Sequence, residues 1–596
     1  MILVWLDWAI IASFLIVSLA IGFALRRRAS RDSRSFFLSN RNLPWWLLGV
    51  SMVATTFSVD TPNLVTEIVR TNGVAGNWIW WAFLITGMLT CFLYARLWRR
   101  SEVFTDLEFY ELRYSGKAAA AVRAFRAIYL GVFFNVVVIA QVTLAATKIG
   151  AVTLGLSPLQ TVLVCGVVTV TFSALGGFLG VVITDLLLFS VSMIGAVAAA
   201  WITLSLPEVG GLTNLLDSPG VASQLSFFPD LSNTDLLVSL LVIPLAVQWW
   251  SVWYPGSEPG GGGYVAQRML AARTERDAAG AVLLFQVAHY AIRPWPWIIV
   301  ALASLVVFPD LAAIRTAFPE IEAGIVGHDL AYPAMLTFLP HGLLGLVLAS
   351  LMSAYMSTVS SQLNWGASYV VNDFYKRFVA PEASEKELVL AGRVTTGLLL
   401  LLAGWLALYL ESALQAFNVL LTIGAGTGLL FLLRWFWWRI SAFSEIAAMA
   451  VSFTAALYFQ FAELPGWSSN EKLIGGIAVT TLGWILATYL CPATNPAVLR
   501  EFYRKIRPAG PGWEPIRESL GAEAPANADD RIPRALLNVL LGCISIYALL
   551  FAIGSAVYGE IARCAILLAI GVTAAVPVLI DVVRTQPAAG RPKKAN

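Results

Sequence analysis

Apolar residues in this chain come in long unbroken runs, without the alternation of a strand or the one-sided stripe of a surface helix. Runs able to cross about 30 Å of hydrocarbon fall near 4–25, 44–69, 76–98, 122–149, 158–176, 178–206, 236–254, 280–308, 338–372, 388–410, 413–434, 443–462, 472–491, 534–556 and 562–583. They predict about fifteen transmembrane helices, because a helix satisfies its own backbone where no water is present. Runs 158–176 and 178–206 are parted only by Gly176 and Gly177, which predicts a tight helical hairpin. Two runs are interrupted at membrane depth. The second carries Ser58-Val59-Asp60-Thr61-Pro62-Asn63 near its middle, and the seventh passes through Trp249 and Trp250 into Tyr254-Pro255-Gly256 and the glycines 260–263. Broken helices five spans apart point to an inverted-repeat transporter. Residues 1–43 then hold the first span and its loop, 44–206 the first repeat (spans 2–6) and 207–440 the second (spans 7–11). Spans twelve to fifteen occupy 441–596, with a surface helix and linker at 492–533 and a polar tail.

Composition agrees: 58% of the 596 residues are hydrophobic and 13% charged, against about 25% charged in soluble proteins. A net charge of +3 gives no reason to expect nucleic acid. Charge instead marks orientation. Arg26, Arg27, Arg28, Arg31, Arg34 and Arg41 follow the first span, Arg96, Arg99, Arg100, Arg113 and Lys117 the third, and Arg268, Arg273 and Arg276 the seventh. Segment 207–235 has no Lys or Arg but holds Glu208, Asp217, Asp230 and Asp235. The positive-inside rule then places the N-terminus outside and the C-terminus in the cytoplasm. No basic residue precedes the first run and three arginines follow it, so it reads as a retained span and not as a secretory signal. The five cysteines lie in or beside apolar runs without a CxxC pair and read as small buried hydrophobes. Three scattered histidines form no metal cluster. Gly260–Gly263 lead into Tyr264-Val265 and lack the Lys-Ser/Thr of a phosphate loop, so they read as a flexible turn.

Span nine holds Ser357, Thr358, Ser360 and Ser361, four hydroxyls in five positions. Such oxygens suit a hard cation, or they cement helices to one another. Asp185 in span six needs a partner to be tolerated in lipid. His289 and Arg293 sit at i and i+4 in span eight. Arg293 is placed to clamp a solute carboxylate bidentately, or to pair with Asp60 or Asp185. A membrane-embedded enzyme would have only His289 with Asp185 to work with, since neither GxSxG nor HExxH is present.

Met356-Ser357-Thr358-Val359-Ser360-Ser361-Gln362-Leu363, ending in Asn372-Asp373-Phe374-Tyr375-Lys376, resembles the signature helix of the sodium/solute symporter family. Gly176-Gly177-Phe178-Leu179-Gly180-Val181-Val182-Ile183-Thr184-Asp185, Gln267-Arg268-Met269-Leu270-Ala271-Ala272-Arg273 and, more weakly, Ser51-Met52-Val53-Ala54-Thr55-Thr56-Phe57-Ser58 are similar to further segments of that family. Together they cover about residues 40 to 440. The resemblance implies an all-α polytopic membrane protein with a LeuT-type 5+5 inverted-repeat core and flanking helices. It implies import of a small polar solute with sodium by alternating access, with no obligatory protein partner. A first sodium site would use carbonyls of Ala54, Phe57 and Ala354 with the hydroxyls of Ser357 and Thr358. Some members hold a second sodium, here at Asp185, Ser360 and Ser361. The implied solute wall comprises Thr56, Ser58, Asp60, Thr61, Asn77, Gln248, Trp249, Trp250, Trp253, His289, Arg293 and Asn418. Sugar-carrying relatives place a lysine close to His289, and Arg293 has no assigned counterpart. Hydroxyls, amides and tryptophan favour a sugar or polyol, whereas His289 and Arg293 favour a carboxylate-bearing solute. A membrane solute sensor or a sodium-conducting channel on the same fold is the alternative reading.

Overall fold

The structure, a computed structural model, describes residues 3–29, 38–251, 258–410, 424, 426–461, 466–525 and 532–584. Among them the chain is helical, apart from loops and one isolated bridge between Leu43 and Ala272. Among the described residues ten helices are long and apolar enough to cross a membrane, and four more apolar helices are shorter. In chain order we name α1 (Trp5–Ala29), α2 (Trp45–Thr56), α3 (Asp60–Asn72), α4 (Val74–Ser101), α5 (Gly116–Leu154), α6 (Pro158–Leu204) and α7 (Thr234–Gln248). Then follow α8 (Gly263–Ala271), α9 (Glu275–Val307), α10 (Leu343–Val379), α11 (Glu385–Ala407), α12 (Ala442–Phe461), α13 (Ser469–Leu490), α14 (Pro496–Ile506), α15 (Ile532–Val557) and α16 (Ile561–Arg584). Most of the expected run 413–434 lies outside the described residues.

Helix α10 is the central strut, packed by α1, α2, α5, α6 and α11. Helix α1 is fastened to its start: Asp7 Oδ1 accepts the free N–H groups of Gly342 (2.6 Å) and Gly345 (2.9 Å), an N-terminal cap supplied by another helix. Gly345 permits the approach, since a Cβ there would lie 2.5 Å from the Asp7 Cα.

The hairpin expected at Gly176-Gly177 takes a different form. Helical backbone continues from Pro158 to Leu204 without a non-helical turn. Its direction nevertheless reverses. Helix α5 runs antiparallel to α10, with Asn135 bonded to the Gln362 carbonyl and Thr143 to Tyr355, so its later residue Gly150 sits toward the start of α10. Thr161 packs on Gly150 and Ser192 on the Ser350 carbonyl, so both arms of α6 meet the same end of the strut. Glycine pairs are common sites of sharp helix bends.

Two further corrections concern loops. Arg113 and Arg268, read from sequence as loop charges, are buried, Arg113 against the carbonyls of Arg434, Trp437 and Trp438. The glycines 260–263 form a buried, close-packed turn and not a loose one: Gly260 and Gly261 have φ of 85° and 88°, and the Trp98 indole donates to the Gly260 carbonyl at 2.8 Å. In segment 492–533, α14 buries Leu499, Phe502, Tyr503 and Ile506, and the Arg113 guanidinium lies over the rings of Phe502 and Trp513. Finally, α9 is not uniform. Val287–Ile292 is a wide π-helical turn, and it carries His289.

Candidate ion and solute site

The site begins with the break between α2 and α3. Phe57 leaves helical geometry (φ −82°, ψ 82°), and helix restarts at Asp60. The interruption is thus at 57–59, slightly earlier than the sequence suggested, because Pro62 falls in the first turn of α3, where a missing N–H leaves no bond unmade. Unwinding frees the last carbonyls of α2. Thr358 Oγ1 donates to the Thr55 carbonyl at 2.8 Å, and Arg293 Nη1 donates to the Thr56 carbonyl at 2.6 Å. The Ala54 carbonyl still accepts the Phe57 N–H at 3.1 Å.

Around that break α2, α6 and α10 form a buried seam rich in oxygen. Asp185 accepts from Ser357 Oγ on one oxygen (2.6 Å) and from Ser51 Oγ on the other (2.5 Å). Ser361 Oγ lies 3.2 Å from Thr55 Oγ1, and Ser360 Oγ donates back to the Ser357 carbonyl at 3.2 Å. Ala54, Phe57 and Ala354 are buried in the same helices. Hydroxyl, carbonyl and carboxylate oxygens together are the ligand type of a hard cation.

Arg268 enters this seam from α8. Its Nε donates to Ser51 Oγ (3.2 Å), its Nη2 to Ser361 Oγ (3.0 Å), and Nη2 lies 3.8 Å from Asp185 Oδ2. Phe178 and Tyr264 lie against the guanidinium, with ring centroids 5.3 and 5.4 Å from it. Asp185 therefore has Arg268 as its cationic neighbour, and the alternative of a pair with Arg293 is set aside. The signal available in the sequence was the placement of Arg268 inside an apolar motif immediately after a glycine run.

On the other side of the break lies a cavity of about 60 Å³ walled by Thr55, Thr56, Ser58, Asp60, Thr61, Trp80, Gln141, His289 and Arg293 with four aliphatic residues. A second, of about 40 Å³, is walled by Thr56, Thr86, Thr90, Glu258, Tyr264, Gln286, His289 and Tyr290 among others. Thr56 and His289 belong to both and form the partition. Gly87 leaves room for Gln286, whose Oε1 would lie 2.0 Å from an added Cβ.

The free valences of the first cavity are specific. Asp60 Oδ2 accepts from Gln141 Nε2 at 3.3 Å, while Oδ1 lacks a partner of hydrogen-bond geometry among the described residues. The Arg293 charge acts on Asp60 through space. Arg293 Nη2 lies 3.3 Å from His289 Nε2. A guanidinium only donates, so Nε2 accepts and the ring proton is on Nδ1, which has no hydrogen-bond partner among the described residues. Arg293 also faces Trp297, 5.4 Å from the ring centroid. It is thereby engaged by the protein itself, with the α2 carbonyl, the imidazole and the indole.

Of the expected solute wall, Thr56, Ser58, Asp60, Thr61, His289 and Arg293 converge on the first cavity. Asn77 does not line it: its amide accepts from Trp80 Nε1 (2.9 Å) and donates to the Val74 carbonyl (3.0 Å), which holds Trp80 in the wall. Gln248 donates to the Ile79 carbonyl and lines neither cavity, and the Trp249 carbonyl accepts from Thr86, so Trp249 stands behind the second cavity. Trp250 packs on Trp249 and against Gly428, where an added Cβ would lie 1.7 Å from the Trp250 carbonyl oxygen. Trp253 and Asn418 lie outside the described residues. Trp80, Gln141 and Gln286 were not singled out by sequence, each being one polar or aromatic residue in an apolar helix.

Buried ion networks flank the cavities. Lys148 binds Asp329 at 2.6 Å, and beside it Arg70 donates to the carbonyls of Ser304 and Phe308. Glu258 is bonded to Arg126 and lies 3.7 Å from Arg434. His289 and Asp185 have separate partners, and no catalytic pair forms.

The chain resembles known proteins over most of its length. The family model for the sodium:solute symporter family matches residues 36–451. A sodium/glucose cotransporter of Vibrio parahaemolyticus is 25% identical over 490 residues, covering 77% of this chain and 86% of that protein. A sodium/myo-inositol cotransporter of Mus musculus is 27% identical over 443 residues, covering 68% of this chain and 59% of that one. Among solved structures, a Na+-coupled sialic acid symporter in a substrate-bound outward-open state superposes with a TM-score of 0.64 at 19% identity, over 83% of this chain and 99% of its own, and so shares the fold. Because the family model matches residues 36–451, the chain belongs to the sodium:solute symporter family, a family of transporters and not of enzymes, and is a sodium-coupled solute symporter.

Proposed function

We propose that the transported solute is a small polyhydroxylated molecule, a sugar or polyol, held in the cavity at the α2–α3 break. The observation that carries this is Asp60, with one carboxylate oxygen free in the cavity wall. A carboxylate accepts from sugar hydroxyls and repels an anion. The His289 Nδ1–H, the Gln141 amide and the Ser58 and Thr61 hydroxyls offer donors and acceptors at matching depth, and the Trp80 ring offers an apolar face. The carboxylate-bearing alternative rests on Arg293, whose guanidinium is already occupied by Thr56 and His289. Uptake into proteoliposomes of a labelled panel of sugars, polyols and organic acids tests this. Accumulation above the external concentration under an inward sodium gradient separates a symporter from a channel or a sensor, and uptake of organic acids alone would overturn the reading.

We infer that sodium binds between α2 and α10 at the carbonyls of Ala54, Phe57 and Ala354 and the hydroxyls of Ser357 and Thr358. The Thr358–Thr55 contact supports this by bringing those two helices within ligand distance of one ion. Sodium there orders the same break that presents Asp60, so ion and solute raise each other's affinity by an equal factor. A second ion at Asp185, Ser360 and Ser361 would have to share the seam with Arg268, and this favours one sodium per cycle. A 5+5 inverted repeat over spans 2–11 of about fifteen, alternating access, an external N-terminus and a cytoplasmic C-terminus complete the proposal. The interruptions of α2–α3 and α7–α8 support the repeat, and the contrast between segment 207–235, which has no Lys or Arg, and the exposed Lys117, Arg273 and Arg276 of other loops supports the orientation.

A further inference from the structure

A larger cavity lies apart from the solute path, between α9, α15 and α16, and shares no wall residue with the cavities at the break. Its volume is about 440 Å³, and its walls are apolar except for Arg276 and Ser545. Along α9 the wall runs from Arg276 to Val287, about 16 Å at 1.5 Å per residue, and along α16 from Leu568 to Val583, about 22 Å. Half of an approximately 30 Å hydrocarbon core is about 15 Å, so the slot is as long as one leaflet is deep. The slot is long enough to take an extended acyl chain along its length.

The mouth carries the chemistry of a headgroup. Arg276 is exposed, and its side chain makes no hydrogen bond or ion pair among the described residues. Trp45 beside it is 46% exposed, and tryptophan is enriched at the level of lipid headgroups. A free guanidinium above a leaflet-deep apolar slot matches a phosphate joined to an acyl chain.

We propose that this groove binds one anionic phospholipid, with an acyl chain between α9, α15 and α16 and the phosphate on Arg276. The lipid lies against the helix that carries the solute contacts: Gly280, Leu283 and Val287 of α9 face the groove, while Gln286, His289 and Tyr290 face the cavities. Occupancy therefore bears on the transport helix from its far side.

Native mass spectrometry of the detergent-purified full chain, given phosphatidylglycerol or phosphatidylcholine with identical acyl chains, tests the site. One phosphatidylglycerol per chain is expected to be retained, about fivefold in preference to phosphatidylcholine, the effect of one arginine near an anionic headgroup. Arg276→Glu should abolish the preference, while the exposed Arg273→Glu should leave it intact. Ala575→Trp should fill the slot and lose both lipids, and thermal unfolding of each variant checks that it is folded. Equal retention of the two lipids by the unaltered protein overturns the proposal. So does undiminished retention in folded Ala575→Trp, or a co-purifying peptide in place of lipid.

Discussion

Asp60→Asn keeps the shape of the side chain and removes its charge, so it probes the solute reading directly. A hydrogen bond to a charged group contributes about 1.5–3 kcal/mol, and one between neutral groups about 0.5–1.5 kcal/mol. One solute hydroxyl bound to the free Oδ1 should therefore lose about 1–1.5 kcal/mol, about five- to tenfold in affinity. Stability should move little, because losing the attraction between Asp60 and Arg293 opposes the relief of a carboxylate oxygen that lacks a partner. The assay is sodium-driven uptake into proteoliposomes of the sugar or polyol that most raises the thermal stability of the unaltered protein, with unfolding temperature recorded for both forms. The sign carries as much information as the size. For an anionic solute, removing the Asp60 charge should strengthen binding. Affinity unchanged within twofold, or raised, would refute a polyhydroxylated solute at Asp60. A fall in affinity accompanied by a large drop in unfolding temperature would show fold damage instead.

Thr358→Val removes the hydroxyl bound to the Thr55 carbonyl. It should raise the half-saturating sodium concentration by about tenfold or more, within the ~1–3 kcal/mol of a lost buried partner, whereas Thr358→Ser should stay close to the unaltered protein. A sodium titration of uptake reads both. Arg268→Gln leaves Asp185 buried beside serine hydroxyls without its cation and should destabilise the sodium-free protein by about 3–5 kcal/mol; the double variant Arg268→Met with Asp185→Leu should recover most of it in the same unfolding measurement. If that recovery fails, Arg268 stabilises through contacts other than Asp185. Asp7→Ala should lower stability by about 1–2 kcal/mol through loss of the cap on α10, and unchanged unfolding would place the cap's role elsewhere. Gly428→Ala drives a Cβ toward the Trp250 carbonyl and should abolish uptake, while wild-type rates would mean the two segments separate easily.

What the sequence conveyed and what it hid divide along a physical line. Helix breakers and hydroxyl clusters are local, so Ser58 to Pro62 and Ser357 to Ser361 already marked the two helices that meet at the seam. Arg268 was opaque because its partners Ser51, Asp185 and Ser361 come from three other helices, and a basic residue beside a glycine turn looks like a loop charge. Gln141 and Trp80 were opaque for the converse reason: one such residue on an apolar helix acquires meaning only when Asp60 and His289 arrive opposite. Asn77 and Trp249 carried the right chemistry but are used one layer back, holding Trp80 and Thr86. One glycine run misled: read as a flexible turn, 260–263 is locked under Tyr94 and Trp98, whereas helical backbone runs on through 176–177.

The wide turn at Val287–Ile292 stores one surplus residue in α9. Wound back to 3.6 residues per turn, that residue becomes a rotation of about 100° for everything beyond it. His289 already stands in the partition between two small chambers. A helix with slack at that point is able to swing the imidazole from one chamber toward the other as the segment beyond it turns.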